Sequence, residues 1–133
     1  MAGVVKRGER RTCPCGSGLP YDGCCGRLHG GADAPTAEAL MRSRYSAFAG
    51  GDAAYLLRTW HSSTRPARLR LDPDERWTGL EIVDTLGGNL FDATGEVEFR
   101  AHHRARGRAG TLAERSRFVR EDGRWVYLDG ETR

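Results

Sequence analysis

The chain has 133 residues, which suits one compact domain with a small appendage and is too short for two full domains. No run approaches the roughly 20 apolar residues of a membrane span, and the first residues hold no apolar signal-peptide core. We therefore expect a cytoplasmic protein with no membrane partner. The net charge of +3 falls on residues 1–31, which hold five basic and two acidic residues, whereas residues 32–133 are balanced.

This asymmetry divides the chain into two predicted units. Residues 1–31 form a basic segment, of which 1–11 are predicted to be a mobile lead-in, and residues 32–133 form the larger domain. A small basic unit of this kind suits contact with an RNA or with an acidic protein surface.

The cysteines of the chain all fall within residues 12–31. They are Cys13, Cys15, Cys24 and Cys25. Two close pairs around a glycine-rich turn offer four soft ligands in the tetrahedral geometry that zinc prefers. The alternatives, a disulfide or free thiols, are disfavoured because adjacent cysteines bridge each other only with strain and the cytoplasm is reducing. The spacing predicts a structural zinc site, with His29 as a non-ligand and Arg27 nearby to offset the thiolate charge.

Two helices are predicted after the cysteines. Thr36 is placed to cap the first, whose apolar residues recur at helical spacing until Gly50 and Gly51 end the run. Asp52 is placed to cap a second helix, which stops before the irregular stretch 61–66. The two helices are expected to pack as a hairpin.

In the second half of the chain, apolar and polar residues alternate as they do in β-strands. This half is predicted to form one helical turn at 73–77 and strands at 80–86, 95–104, 111–120 and 124–129. In the second of these strands Val97 and Phe99 share one face while Glu96 and Glu98 share the other, which indicates a sheet covered on one side. Helices followed by strands are typical of an α+β domain.

Two stretches carry a resemblance to known families. Cys-Pro-Cys-Gly-Ser-Gly at 13–18, followed by Tyr21 and the pair Cys24 and Cys25, resembles the SEC-C motif, a zinc module named after the C-terminal tail of the SecA translocase. The translocase version often ends in histidine where this chain has Cys25, which leaves zinc binding intact and argues against translocase-specific partners.

The stretch TAEALMRSRYSAF at 36–48, with Thr59, Trp60 and ERSRFVREDGRWVYLDG at 114–130, resembles the YchJ family, in which a SEC-C motif precedes such a helix. The resemblance implies a cone-shaped α+β domain, nuclear transport factor 2-like or cystatin-like, with helices packed on a curved antiparallel sheet. It implies no established activity.

A candidate small-molecule site lies on the third strand. Alternation places Glu114 and Ser116 on its less charged face, where apolar walls would raise the pKa of the Glu114 carboxyl towards the range useful for acid–base catalysis. The alternatives are that Glu114 pairs with a buried arginine such as Arg44 or that it sits at the cavity mouth in water. We expect the pocket to be lined by Tyr45, Phe118, Trp125 and Tyr127.

Other catalytic signatures are weak. His102 and His103 are adjacent strand residues and so point to opposite faces, which argues against one shared metal site. The sequence contains no P-loop, dinucleotide fingerprint or nucleophile elbow.

The favoured function is therefore a non-enzymatic binding protein. Its basic zinc knob would contact a protein or RNA partner, and its cone would hold a small ligand or peptide. The alternatives are an enzyme with Glu114 as acid or base and Ser116 or Tyr127 as orienting groups, and a purely structural role for zinc. Rows of Arg and Glu on the outer sheet face permit a homodimer.

Overall fold

The computed structural model describes residues 11–133, so the lead-in predicted for 1–11 lies outside it except for Arg11. Within this range a short 3₁₀ turn (Tyr21–Gly23) and three helices precede four strands. The elements are α1 (Cys25–His29), α2 (Ala37–Gly50), α3 (Ala53–Arg58), β1 (Glu75–Gly87), β2 (Thr94–Ala105), β3 (Arg108–Glu121) and β4 (Arg124–Thr132).

The four strands form one antiparallel sheet in the order β1-β2-β3-β4. The helical turn predicted at 73–77 is wrong, because β1 already begins at Glu75 and pairs with Ala105 at the far end of β2. Both later hairpins close with two residues, so pairing continues to Arg108 beside the first turn and to Arg124 beside the second. The strands are therefore longer than the alternation alone indicated.

Helices α2 and α3 begin and end where the sequence predicted. The Thr36 side chain accepts from the Ala39 amide at 3.1 Å, and the Asp52 side chain accepts from the Tyr55 amide at 3.0 Å. Each cap satisfies an amide that has no partner inside its helix. Gly51 caps the C-terminal end of helix α2, and its φ of 75° suits glycine.

Helix α2 is buried on most of its circumference, including the polar residues Ser43, Arg44 and Ser46. A surface helix buries one stripe, so burial all round means that two layers cover it. One layer is the sheet and the other is the cysteine segment, since Cys15 and Phe118 belong to the same continuous core. The zinc knob predicted as an appendage is thus packed into the domain.

The outer face of the sheet is charged, as the alternation in β2 predicted. Arg115 bonds three carboxylates, those of Asp84, Glu96 and Glu98. The inner residues Val97 and Phe99 are buried. Among the helices of residues 11–133, none has both the length and the apolar composition that crossing a membrane requires.

Candidate metal centre and cavity

The four cysteine sulfurs converge on one point. All four Sγ atoms lie within 4.8 Å of one another, and the separations are 3.6 Å for Cys15 to Cys24 and 4.0 Å for Cys24 to Cys25. Four thiolates at about 2.3 Å from one tetrahedral ion stand roughly 3.8 Å apart. The cluster can therefore hold one metal ion without rearrangement of the chain.

Local backbone bonds bring the two pairs together. The Cys13 amide donates to the Leu19 carbonyl at 2.8 Å, and Thr12 bridges to Pro20, so residues 12–20 fold into a tight loop. Helix α1 then starts at Cys25 and turns the second pair back towards the first. Cys13, Cys15 and Cys25 are buried and only Cys24 is partly exposed.

Helix α2 contributes polar groups to this segment. Arg42 Nη1 donates to the Cys15 carbonyl at 2.8 Å, and the Ser46 hydroxyl lies 3.5 Å from the Cys13 sulfur. On the loop, the Ser17 hydroxyl lies 3.2 Å from the Cys24 sulfur. Such donors offset the excess negative charge of four thiolates and orient the ligands. Arg42 is therefore a guanidinium beside the cysteines that the sequence did not indicate, while Arg27 is exposed and lines a groove together with Cys24 and Cys25.

The crowded thiols do not share their protons equally. Their mutual hydrogen bond lowers the pKa of Cys15 and raises the pKa of Cys25. Burial adds to the rise at Cys25 because it disfavours the charged form. A divalent cation reverses this balance, since it binds sulfur as thiolate and displaces the protons.

His29 is held away from the cluster by two hydrogen bonds. Its Nε2 lies 2.8 Å from the Ser43 carbonyl, which can only accept, so Nε2 carries the hydrogen. Its Nδ1 then accepts from the Tyr21 hydroxyl at 2.6 Å. Both ring nitrogens are occupied, and in residues 11–133 the metal-ligating group contains cysteines alone.

A cavity of about 110 Å³ lies on the other side of α2, between this helix and the sheet. Glu114, Ser116, Phe118 and Tyr127 line it. Tyr45 and Trp125, which were also expected to line the cavity, are not among its lining residues. Tyr45 is rotated one residue away from the cavity-facing Arg44 and packs edge-on against Trp77 at 6.1 Å.

Trp125 lies near the start of β4, where its ring packs under the Arg120 guanidinium at 4.2 Å. A bulge in the pairing at Arg117 and Phe118 sets this register between β3 and β4. The pocket lining predicted from alternation is corrected for Tyr45 and Trp125, and their places are taken by Arg44 and Trp60.

Glu114 and Arg44 face the cavity without forming an ion pair. The Glu114 Oε2 accepts from the Ser116 hydroxyl at 2.6 Å and from the Tyr127 hydroxyl at 3.2 Å. Arg44 Nη1 donates instead to the Leu56 carbonyl at 2.8 Å and to Thr59 Oγ1 at 2.7 Å.

Aromatic rings flank the Arg44 guanidinium, with the Tyr127 centroid at 4.7 Å and the Trp60 centroid at 5.2 Å. Burial lowers the pKa of Arg44 to about 10, which still leaves it protonated at neutral pH. Burial and the neighbouring Glu114 raise the pKa of Tyr127, so its hydroxyl remains a donor.

The two histidines of β2 lie apart from both sites. His102 contacts Glu81 at 2.8 Å on the exposed side, and His103 packs against Trp77 with ring centroids 5.1 Å apart.

Comparison with known proteins places the chain in a family. The family model described as "YchJ, middle NTF2-like domain" matches residues 36–130. The chain belongs to the YchJ family. A UPF0225 protein of Streptomyces coelicolor is 67% identical over 120 residues, which cover 90% of this chain and 94% of the relative. A UPF0225 protein of Chromobacterium violaceum is 52% identical over 130 residues, which cover 94% of this chain and 96% of that protein.

Two solved structures resemble this YchJ-family protein over most of its length. The solution structure of a SEC-C motif containing protein from Rhodopseudomonas palustris has a TM-score of 0.77 and 34% identity, and the match covers 90% of this chain and 97% of that one. The crystal structure of a sec-c motif containing protein from Psychrobacter arcticus has a TM-score of 0.75 and 29% identity, with 92% and 83% covered. The NTF2-like fold and the SEC-C resemblance are thus confirmed.

Sequence reasoning missed the groups through which α2 holds this family's cysteine segment, namely the Arg42 and Ser46 side chains and the Ser43 carbonyl. The sequence does carry a signal for these contacts. Polar residues are distributed around α2, so a single apolar stripe does not describe how the helix packs. Such a helix is expected to have a polar contact on a side that is also buried.

Replacing His29 with alanine is expected to leave the metal content unchanged and to lower the free energy of unfolding by about 2 kcal/mol, because the Ser43 carbonyl loses its donor. The loss includes the packing of the ring on Tyr55, whose centroid lies 4.5 Å away. Elemental analysis and thermal melting measure the two effects. Tyr21→Phe removes only the bond at Nδ1 and is the milder control. Loss of metal in His29→Ala would make this histidine a ligand.

Proposed function

We propose that this YchJ-family protein is a non-enzymatic binding protein of a reducing compartment, the cytoplasm, built on one structural zinc ion. The observation that supports the zinc is the convergence of four sulfurs within 4.8 Å of one another, three of them on buried residues. Soft thiolates at tetrahedral spacing select zinc over the hard cations. A site closed by four protein ligands leaves no position for substrate, so its role is to shape the surface around it.

That surface includes a groove beside Cys24 with a volume of about 420 Å³. Its lining includes the apolar residues Leu28, Pro35 and Leu19, and the large Leu19 side chain is 52% exposed. The same lining includes the charged residues Arg27, Glu38 and Arg42. Exposed apolar surface bordered by charged residues is typical of a protein-binding site.

A protein segment suits this groove better than RNA does. None of the described residues that line it is aromatic, whereas single-stranded RNA is read largely by stacking of bases on aromatic rings. We therefore propose a protein segment with one apolar side chain to cover Leu19 and an acidic residue for Arg27, since the Glu38 carboxylate is already paired with Arg42 at 3.0 Å.

Replacing Leu19 with serine is expected to reduce capture of this partner at least tenfold without loss of metal, since Leu19 is not one of the ligand residues. The measurement is quantitative mass spectrometry of proteins cross-linked to the immobilised chain in a lysate of its own organism. Phe91→Ser is the matched control, because Phe91 is 94% exposed on the β1–β2 turn and is not among the residues that line the groove.

Comparison of the variants decides which captured protein is the partner. Capture of the partner must be lost in Leu19→Ser and in Arg27→Glu and retained in Phe91→Ser. Its capture should also weaken as salt is raised. Equal recovery from all variants, or recovery of RNA alone, would remove the protein-binding groove from the proposal.

The second candidate function is an enzyme that uses Glu114 as acid or base, and the position of this carboxylate in a cavity with mostly apolar walls favours it. Binding is preferred because the Ser116 and Tyr127 hydroxyls both donate to Glu114, so neither is free to act on a ligand. A cavity ligand recovered unchanged after long incubation supports binding. Conversion that disappears in Glu114→Gln would support the enzyme.

A further inference from the structure

We propose that the cavity under α2 binds a small, flat, electrically neutral amide, no larger than a single six-membered lactam ring. Its carbonyl oxygen would accept from Arg44 and its N–H would donate to Glu114. This inference deepens the small-ligand part of the proposed function and rests on it, while the metal centre and the groove are independent of it.

The first observation is the spare donor capacity of Arg44. The residue is only 5% exposed, and its two protein acceptors, the Leu56 carbonyl and Thr59 Oγ1, both bond to Nη1. A guanidinium has five N–H donors. In residues 11–133 no other acceptor bonds to Nε or Nη2, and Arg44 lines the cavity. A buried cation with unused donors fits a ligand that supplies an acceptor.

The second observation is the spare acceptor on Glu114. Both of its hydrogen bonds, from Ser116 and from Tyr127, end on Oε2. No donor of the described chain bonds to Oε1. Gly130 lies opposite this carboxylate, where a β-carbon would collide with it, so the chain leaves room for the side chain at this point. The free oxygen therefore suits a ligand N–H.

The third observation is the balance of charge. Arg44 and Glu114 give the cavity one positive and one negative group and no net charge. An anion would be attracted by Arg44 but repelled by Glu114. A cation would be attracted by Glu114 but repelled by Arg44. Burying a charge that is incompletely paired is unfavourable. A neutral molecule with a donor and an acceptor satisfies both residues.

The fourth observation is the shape of the cavity. The cavity is partly open to the surface, and its volume of about 110 Å³ limits an occupant to about one ring. Aromatic walls from Phe48, Phe99 and Phe118 complete it beside the Trp60 indole. Rings of this kind stack with or stand edge-on to a flat ligand. An amide group on a single ring, or a smaller amide, meets these limits.

The test uses 2-pyridone as the probe, with the metal-loaded full chain and NMR observation of the Trp60 indole N–H. Saturable shifts are expected with a Kd of about 1 mM or tighter, as suits a ligand of this size. N-methyl-2-pyridone, which lacks the donor, should bind at least tenfold more weakly. Acetate and methylammonium should bind no better than this methylated probe.

The informative variant is Glu114→Gln, which removes the negative charge and keeps the shape. It should weaken 2-pyridone binding about tenfold and strengthen acetate binding by a similar factor, because Arg44 then lacks its counter-charge. A merely structural role for Glu114 would not reverse the preference for charge. Glu131→Gln, with a side chain that is 81% exposed, is the matched control and should change neither affinity.

Arg44→Met serves as a second variant, since its stem keeps the packing while the donors are lost, and it should reduce 2-pyridone binding at least tenfold. The inference is overturned if wild type shows no saturable shift, if acetate binds wild type as well as 2-pyridone does, or if Glu114→Gln leaves the preference unchanged. Each of these results, with metal content and partner capture intact, would leave the rest of the proposed function standing.

Discussion

Cys25→Ser is expected to abolish metal binding and to destabilise the whole domain, with a fall in melting temperature of about 10 °C or more. Cys25 is 2% exposed and belongs to the same core as Leu40 and Phe118. Metal binding supplies much of the folding free energy of small sites of this type. A loss of only about 3 kcal/mol corresponds to roughly 10 °C for a domain of this length.

The domain should lose stability as one unit because several bonds join the cysteine segment to the helices. Besides the contacts of Arg42 and Ser46, the Arg58 guanidinium donates to the His29 carbonyl at 2.9 Å and to the Leu28 carbonyl at 3.3 Å. Unfolding of the cysteine segment would break these bonds and would remove Cys15, Cys25 and Leu28 from the continuous core that they share with α2 and the sheet. We therefore expect one cooperative transition.

Differential scanning calorimetry of the metal-loaded protein and of Cys25→Ser measures this effect, with metal content determined in parallel. Ser17→Ala is the control, since it removes a hydroxyl 3.2 Å from the Cys24 sulfur but no ligand. It should keep the metal with only a small shift. If Cys25→Ser lost its metal and still melted within about 2 °C of wild type, the cysteines would form an independent unit.

The convergence of the four cysteines was predictable because they are close in the sequence. Cys13 and Cys25 are 12 positions apart, and two close cysteine pairs around a turn offer four ligands to one tetrahedral ion. The inner and outer faces of β2 could be predicted equally well from the sequence, since a sheet covered on one side imposes a period of two on burial. Both inferences depend on neighbours in the sequence.

The docking of the cysteine segment was not predictable, because its partners are distant in the sequence. Arg42 contacts a carbonyl 27 residues away, and Ser46 contacts a sulfur 33 residues away. A helical pattern shows which positions are apolar but not which polar residues will meet a second layer. The same limit explains the misplaced Tyr45 and Trp125, since the register between strands and the rotation of α2 decide which rings reach the cavity.

Gly88→Ala is expected to cost about 3 kcal/mol, because this residue lies in contact with the start of α2. A β-carbon at Gly88 would stand 2.7 Å from the Ala37 β-carbon. The Ala37 amide also donates to the Gly88 carbonyl at 2.9 Å, which fixes the approach. Overpacking of a buried site costs about 1–3 kcal/mol, and the φ of +75° adds about 1 kcal/mol for a residue with a side chain.

A double-mutant cycle separates the collision from the backbone effect. Ala37→Gly removes the atom nearest to the new β-carbon and should recover about half of the loss in Gly88→Ala. It should recover little in Gly95→Ala, where a β-carbon would stand 2.5 Å from the Gly88 α-carbon. Gly123→Ala, with φ +80° and nothing within 4 Å, measures the backbone cost alone.

Chemical denaturation of the four single variants, and of the two double variants that combine Ala37→Gly with Gly88→Ala or with Gly95→Ala, gives the free energies that the cycle needs. Because α2 carries Arg42 and Ser46 on one side and Arg44 on the other, displacing its first turn should affect both sites. We therefore expect Gly88→Ala to release its metal to a chelator faster than wild type and to shift the Trp60 indole resonance, whereas Gly123→Ala should do neither. Equal stability of Gly88→Ala and Gly123→Ala would show that α2 does not depend on this contact.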